Sequence, residues 1–168
     1  VYDMQLRTRL RELHHLIAEA IEKVYADQID QHFVDLAFHY EHAEMEAETR
    51  EYLLKAADHA RHNFQNNQAL HYYNKLLQHL RNNQEEVEEF KVLLKKGKVL
   101  ELIGEWEECL KIYNKALAIA QEQSDKLLLG RSNNALGHLL LLQGAYKDGR
   151  LYLELAARFF EDIRDQYG

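Results

Sequence analysis

Proline is absent from these 168 residues, cysteine and tryptophan occur once each, and there are only seven glycines. Proline and glycine punctuate chains, so their scarcity excludes turn-rich architectures and leaves long uninterrupted helices. A single cysteine excludes an internal disulfide framework and fits a reducing compartment. No apolar run reaches the roughly 18 residues of a membrane span. The longest, LGHLLLLQG, is short and bracketed by glycines. No block of basic residues offers a phosphate footprint and the net charge is −7, which argues against nucleic-acid binding. The phosphate-cradling G-x-x-x-x-G-K-[ST], the zinc-binding HExxH and paired CxxC motifs are all missing. There is no basic-then-apolar leader and no initiating methionine. The helical pattern is already under way at Val1, as expected of an excerpt from a longer, cytoplasmic protein.

Apolar content is 46%, enough to bury a core, and good helix formers dominate. The sequence matches itself when slid by 40 residues: Gly97 falls on Gly137, Gly104 on Gly144, Trp106 on Tyr146, Leu100 on Leu140 and Ala116 on Ala156. Ala57, Gly97 and Gly137 form one small-residue column, and Ala69, Cys109 and Gly149 form another. Tyr73, Tyr113 and Leu153 form a large one. The columns recur at spacings of three and four, the signature of a helix face. Breaks fall at Ala26-Asp27, Asn66-Asn67, Asn82-Asn83, Gly104, Ser124-Asp125 and Gly144. Eight helices are predicted, at about 3–25, 28–43, 47–64, 67–81, 85–103, 106–122, 126–143 and 146–165. They group into units 10–49, 50–89, 90–129 and 130–168 of a single 1–168 domain. One such hairpin cannot bury its own apolar face, so neighbours must stack.

Chemistry finds little support. Nine of the ten histidines lie between residues 14 and 79, and His39/His42 and His59/His62 each share a helix face. Convergent metal-ligand spacing is nevertheless missing, so these read as solvated polar faces. A metal-dependent enzyme built on the histidine-rich half is the least favoured function. Cys109 lacks a nucleophile motif and sits in a small-residue column, so it reads as a buried inert thiol. Trp106 reads as an anchor on the preceding turn. The acidic run NNQEEVEEF suits the start of a helix rather than a calcium loop. No catalytic, cofactor-binding or metal residue is assigned.

Leu93, Gly97 and Leu100, then Gly104, then Cys109, Tyr113 and Ala116, make a pattern that resembles the tetratricopeptide repeat in its roughly 40-residue variety. It recurs as Leu136-Gly137, Leu140, Gly144, Gly149, Leu153 and Ala156, and as Leu53, Ala57, Ala60, Ala69, Tyr73 and Leu76. The family's closing proline is missing throughout, its first-helix tryptophan is replaced, and unit 10–49 matches poorly. The resemblance implies an all-α, right-handed α-solenoid of about four antiparallel helix hairpins, with first helices lining a concave groove. Carried over position by position, the groove residues are Leu54, Asp58 and Arg61, then Lys91, Leu94, Lys98, Glu101 and Leu102, then Arg131, Asn134, His138 and Leu141. It implies a non-catalytic scaffold binding a protein or peptide partner in that groove, with array ends open to homo-oligomerisation. Residues 10–80 also loosely resemble the helical region that follows the nucleotide-binding core of large multidomain signalling ATPases. That likeness implies the alternative function, a regulatory or sensor segment linked to an ATPase, cyclase or kinase.

Overall fold

The computed structural model describes residues 2–167, with side chains over residues 4–164. Among these residues there are eight α-helices and no strand. The chain divides into two compact units, Val1–Asn82 and Asn83–Gly168. The first holds α1 (Tyr2–Val24), a 3₁₀ segment (Ala26–His32), α2 (Phe33–His42), α3 (Glu46–His62) and α4 (Asn66–Asn82). The second holds α5 (Glu86–Ile103), α6 (Trp106–Glu122), α7 (Lys126–Leu142) and α8 (Tyr146–Tyr167). Within each unit consecutive helices pack on one another, and in the second α5 also touches α7.

Turn geometry sets the repeat. Residues 44, 64, 84, 104, 124 and 144 all have positive φ, between 50° and 79°, at intervals of 20 residues. After most of these turns the next backbone N–H reaches back over the helix end. Met45 donates to Tyr40, Gln65 to Ala60, Glu105 to Leu100, Asp125 to Ala120 and Ala145 to Leu140, at 2.9–3.3 Å. This six-to-one closure satisfies helix-end carbonyls that would otherwise lack partners. Gly104 and Gly144 take the left-handed turn at little cost, as the sequence suggests. Glu44, Phe64, Gln84 and Ser124 take it with a Cβ, and nothing in their residue types announces it. Asp125, at one of the breaks, caps α7, its Oδ1 accepting from the backbone N–H groups of Leu127 and Leu128 at 2.7 and 3.1 Å.

The predicted 28–43 helix is in fact two pieces. Gln28 has φ −137°, outside the helical region, so a 3₁₀ segment without a buried residue precedes α2. This irregularity coincides with the stretch where the repeat match is poorest.

The small columns are the contact points of the hairpins. A Cβ added to Gly97 would lie 2.0 Å from Tyr113 Cε1, so the phenol ring occupies the space a side chain would need. Gly137 and Gly149 face each other backbone to backbone. A Cβ on either would lie 2.9 Å from the other's carbonyl oxygen, and one on Gly137 would lie 2.7 Å from Leu153 Cγ. Ala57, Ala69, Tyr73, Cys109 and Tyr113 are fully buried.

Phe64 is 82% exposed and held at φ 58°, so its side chain stabilises little while its Cβ strains the turn. Phe64→Gly is expected to raise the melting temperature by about 2 °C, the strain relief of about 1 kcal/mol being partly offset by glycine's unfolded-state entropy. Thermal unfolding followed by circular dichroism checks this. A lower melting temperature would show that the turn is not strained.

Candidate functional site

α5 and α7 place four of the twelve candidate groove residues around one cleft. Leu94, Lys98, Arg131 and Asn134 line a volume of about 280 Å³, joined by Lys95, Tyr113, Ala135 and Phe160. Its walls alternate aliphatic or aromatic surface with three cationic side chains and one amide. The other eight candidates lie elsewhere. Leu102 is 68% exposed to solvent, Lys91 is paired with Glu88 on its own helix, and Leu141 packs over Gly149. Glu101 and His138 meet beside the cleft, 3.6 Å apart. Leu54, Asp58 and Arg61 belong to the first unit, on α3.

Glu101 is the electrostatic centre of this region. Its side chain is only 9% exposed, and its carboxylate accepts the Tyr113 hydroxyl at 2.6 Å and Lys98 Nζ at 3.0 and 3.2 Å. Burial, and then the bond to Glu101, push the Tyr113 phenol far above its ordinary range, so it stays a donor. The first unit solves the same problem with the charges exchanged. There the Tyr73 hydroxyl donates to Asp58 at 2.6 Å, with Arg61 Nε 3.9 Å from the same carboxylate oxygen. Asp58 and Arg61 occupy the columns of Lys98 and Glu101. A buried tyrosine hydroxyl needs an acceptor, and either position three residues apart on the facing helix supplies it. The fourth hairpin has Leu153 in the tyrosine column and needs none.

Tyr113, Phe160, Lys95 and Ala135 were not legible as cleft residues. Its column marks Tyr113 as a core residue and says nothing of its reach into the cleft. Phe160 enters because of an exchange of size between two columns. One repeat earlier these columns hold Phe90 and Ala120, both fully buried. In the fourth hairpin they hold Gly130 and Phe160, and a Cβ on Gly130 would lie 2.6 Å from the Phe160 ring. The glycine was the available signal, since it removes the ring on α7 that would block Phe160.

Cys109 is fully buried, donates its thiol to the Gly97 carbonyl at 3.4 Å, and is pushed up to about 11, by burial first and by the Glu101 charge second. A thiol so placed is a poor nucleophile at neutral pH. Among the described residues no group of three or more His, Cys, Asp or Glu is arranged to hold a metal ion. No helix among them is long and apolar enough to cross a membrane.

These hairpins, with small residues at the crossing and a left-handed residue at the turns that follow α2 to α7, define a helical-repeat protein. Residues 88–162 match the family model of the tetratricopeptide repeat. No curated protein matches the sequence. Among solved structures, the signal transduction ATPase with numerous domains from Pyrococcus horikoshii, which carries a tetratricopeptide repeat sensor, aligns with a TM-score of 0.76 at 21% identity. The alignment covers 96% of this chain and 25% of that one, so this chain spans about a quarter of that protein. MamA aligns with a TM-score of 0.53 at 16% identity over 88% of this chain and 89% of its own. The fold is that of tetratricopeptide-type helical repeats.

Tyr113→Phe removes a buried hydrogen bond to a carboxylate that keeps Lys98 and His138. It is expected to cost about 1.5 kcal/mol, the lower end for bonds to charged groups, measured by urea unfolding. Unchanged stability would remove Glu101 from its central place.

Proposed function

We propose that this chain is a non-catalytic, cytoplasmic interaction module that holds a segment of a partner protein in the α5–α7 cleft. The observation that carries this is the lining of the cleft. Leu94, Ala135, Phe160 and the Tyr113 ring offer apolar contact, while Lys95, Lys98, Arg131 and Asn134 offer cations and an amide beside it. Such a surface suits a peptide with an acidic side chain flanked by apolar ones, the carboxylate meeting the planar Arg131 fork and the apolar neighbour covering Phe160. Lys98 is shared with Glu101, which fixes its position. The repeat fold supports this reading because such hairpins generally present binding surfaces.

A second reading takes its support from one comparison. The sensor-bearing ATPase aligns with nearly the whole of this chain. In that reading the same cleft reports occupancy to an ATPase, cyclase or kinase carried on a longer protein. An ATPase module encoded in the same reading frame selects it, and the cleft chemistry is common to both.

The test is selection from a random peptide library on the immobilised chain, followed by titration of the selected peptides. Selected sequences are expected to pair an acidic residue with apolar neighbours. The Lys98→Glu, Arg131→Glu double variant is expected to bind them at least about tenfold more weakly, a loss of about 1.4 kcal/mol or more. Peptides without acidic enrichment, or binding unaffected by the double variant, would count against this cleft as the binding face.

A further inference from the structure

Three imidazoles meet where α1 lies on α2, in the histidine-rich half that the proposed function does not use. His14 on α1 and His39 on α2 face each other through their Nδ1 atoms at 2.9 Å. The His14 ring also lies 4.9 Å from that of His42 and 5.8 Å from that of Phe38, and the Phe38 and His42 rings are 4.1 Å apart. His42 donates from its own Nδ1 to the Phe38 carbonyl at 2.8 Å, which fixes its ring against the same cluster. Two ring nitrogens at 2.9 Å form a hydrogen bond only if one carries a proton and the other a lone pair. A second proton puts two N–H groups head to head and two like charges in contact.

We propose that the His14–His39–His42 cluster is a proton-operated latch that docks the N-terminal half of α1 on α2 at neutral pH and releases it as the pair takes up its second proton. The surroundings set the direction. On α1, Arg11 stands one turn before His14 and pairs with Glu44 beyond the end of α2, while His15, on the adjacent face, pairs with Glu19. On α2 are Asp35, which His32 of the 3₁₀ segment contacts, and Glu41. Around Glu41 stand Lys75 and His79 of α4, with Glu46 of α3 also on His79, and His59 of α3 lies against Phe33. Asp35 and the C-terminal end of α2 favour a charged His39, while burial, then His14, then His42 oppose it, and the opposing set prevails. His39 therefore binds its proton more weakly in the folded chain than at its ordinary value of 6.5. The stability this lends is complete above that value and is lost as pH falls below it toward the folded-state value.

The rest of α1 decides what moves. Glu22, near its C-terminal end, accepts the Tyr52 hydroxyl of α3 and keeps that end attached. Ala18 is fully buried, whereas Leu6, Leu10 and Leu13 in the N-terminal half are about half exposed. Besides the histidines, the Arg11–Glu44 pair ties this half down. Both its side chains are exposed and it is screened by salt.

Amide hydrogen exchange, corrected for the intrinsic pH dependence and read residue by residue by NMR on the intact chain in moderate salt, tests the latch. Amides around Leu10 to His14 are expected to lose about tenfold in protection between pH 7.5 and 5.5. Amides of α5 to α7 should keep theirs. In His14→Phe, which keeps a ring against Phe38, the loss should vanish while the carboxylate-paired histidines remain. Unchanged protection in the native chain, or an equal loss in the variant, would overturn the proposal. Should the variant not fold, the native histidine Cε1–H titrations decide. Shared two-step curves for His14 and His39 support the latch, and independent single-step curves refute it.

Discussion

In the hairpins of this chain, two helices cross where one of them has little or no side chain. Gly97 leaves the room that the Tyr113 ring fills, and Gly137 and Gly149 bring two backbones within contact of each other. A close-packed interior has no slack at such a crossing. The large residue therefore fixes both the separation of the helices and the height at which they meet. With turns locked every 20 residues by a left-handed backbone, the contact repeats in register from hairpin to hairpin. The cleft between α5 and α7 is a consequence. Tyr113 is drawn to Gly97 by packing, and its hydroxyl then needs Glu101, which in turn places Lys98.

This architecture separates what must be kept from what is free to change. Two pairs of positions exchange their parts between repeats. Phe90 with Ala120 becomes Gly130 with Phe160, and the charge order of Asp58 and Arg61 is reversed in Lys98 and Glu101. In the first exchange a large ring moves from one helix to the other and becomes a wall of the cleft. In the second, the cation and the carboxylate swap positions while the tyrosine hydroxyl keeps its acceptor. Binding surface is thus produced by rearranging the same parts that hold the hairpins together.

Most of the helices and the small columns were readable in the sequence because they rest on three-and-four spacing and on glycine, signals that are local. Gly104, Gly144 and the Asp125 cap carry their reason in their residue type. Phe64 does not, and its turn is imposed by the helices on either side. The 3₁₀ segment is indistinguishable from helix in the sequence because nothing in ADQIDQH breaks the pattern as proline would. Of the candidate groove, Leu94, Lys98, Arg131 and Asn134 converge, while Lys91 and Leu102 turn to solvent, since a face assigned by register alone carries no information about depth. Phe160 and the His14–His39 pair depend on residues 25 or more positions apart, and no local pattern reports such a meeting.

The α5–α6 crossing and the cleft beside it hang on the ring of Tyr113 standing in the place of a Gly97 side chain, so a double-mutant cycle on those two residues is the most direct measurement. Gly97→Ala alone is expected to destabilise the chain by about 1–3 kcal/mol through overpacking, despite alanine's better helix propensity. In a Tyr113→Leu background, where the space is open, that cost should largely disappear, leaving a coupling above about 1 kcal/mol. Additive effects, or a Gly97→Ala variant more stable than the native chain, would contradict the close crossing from which the repeat and its cleft are derived.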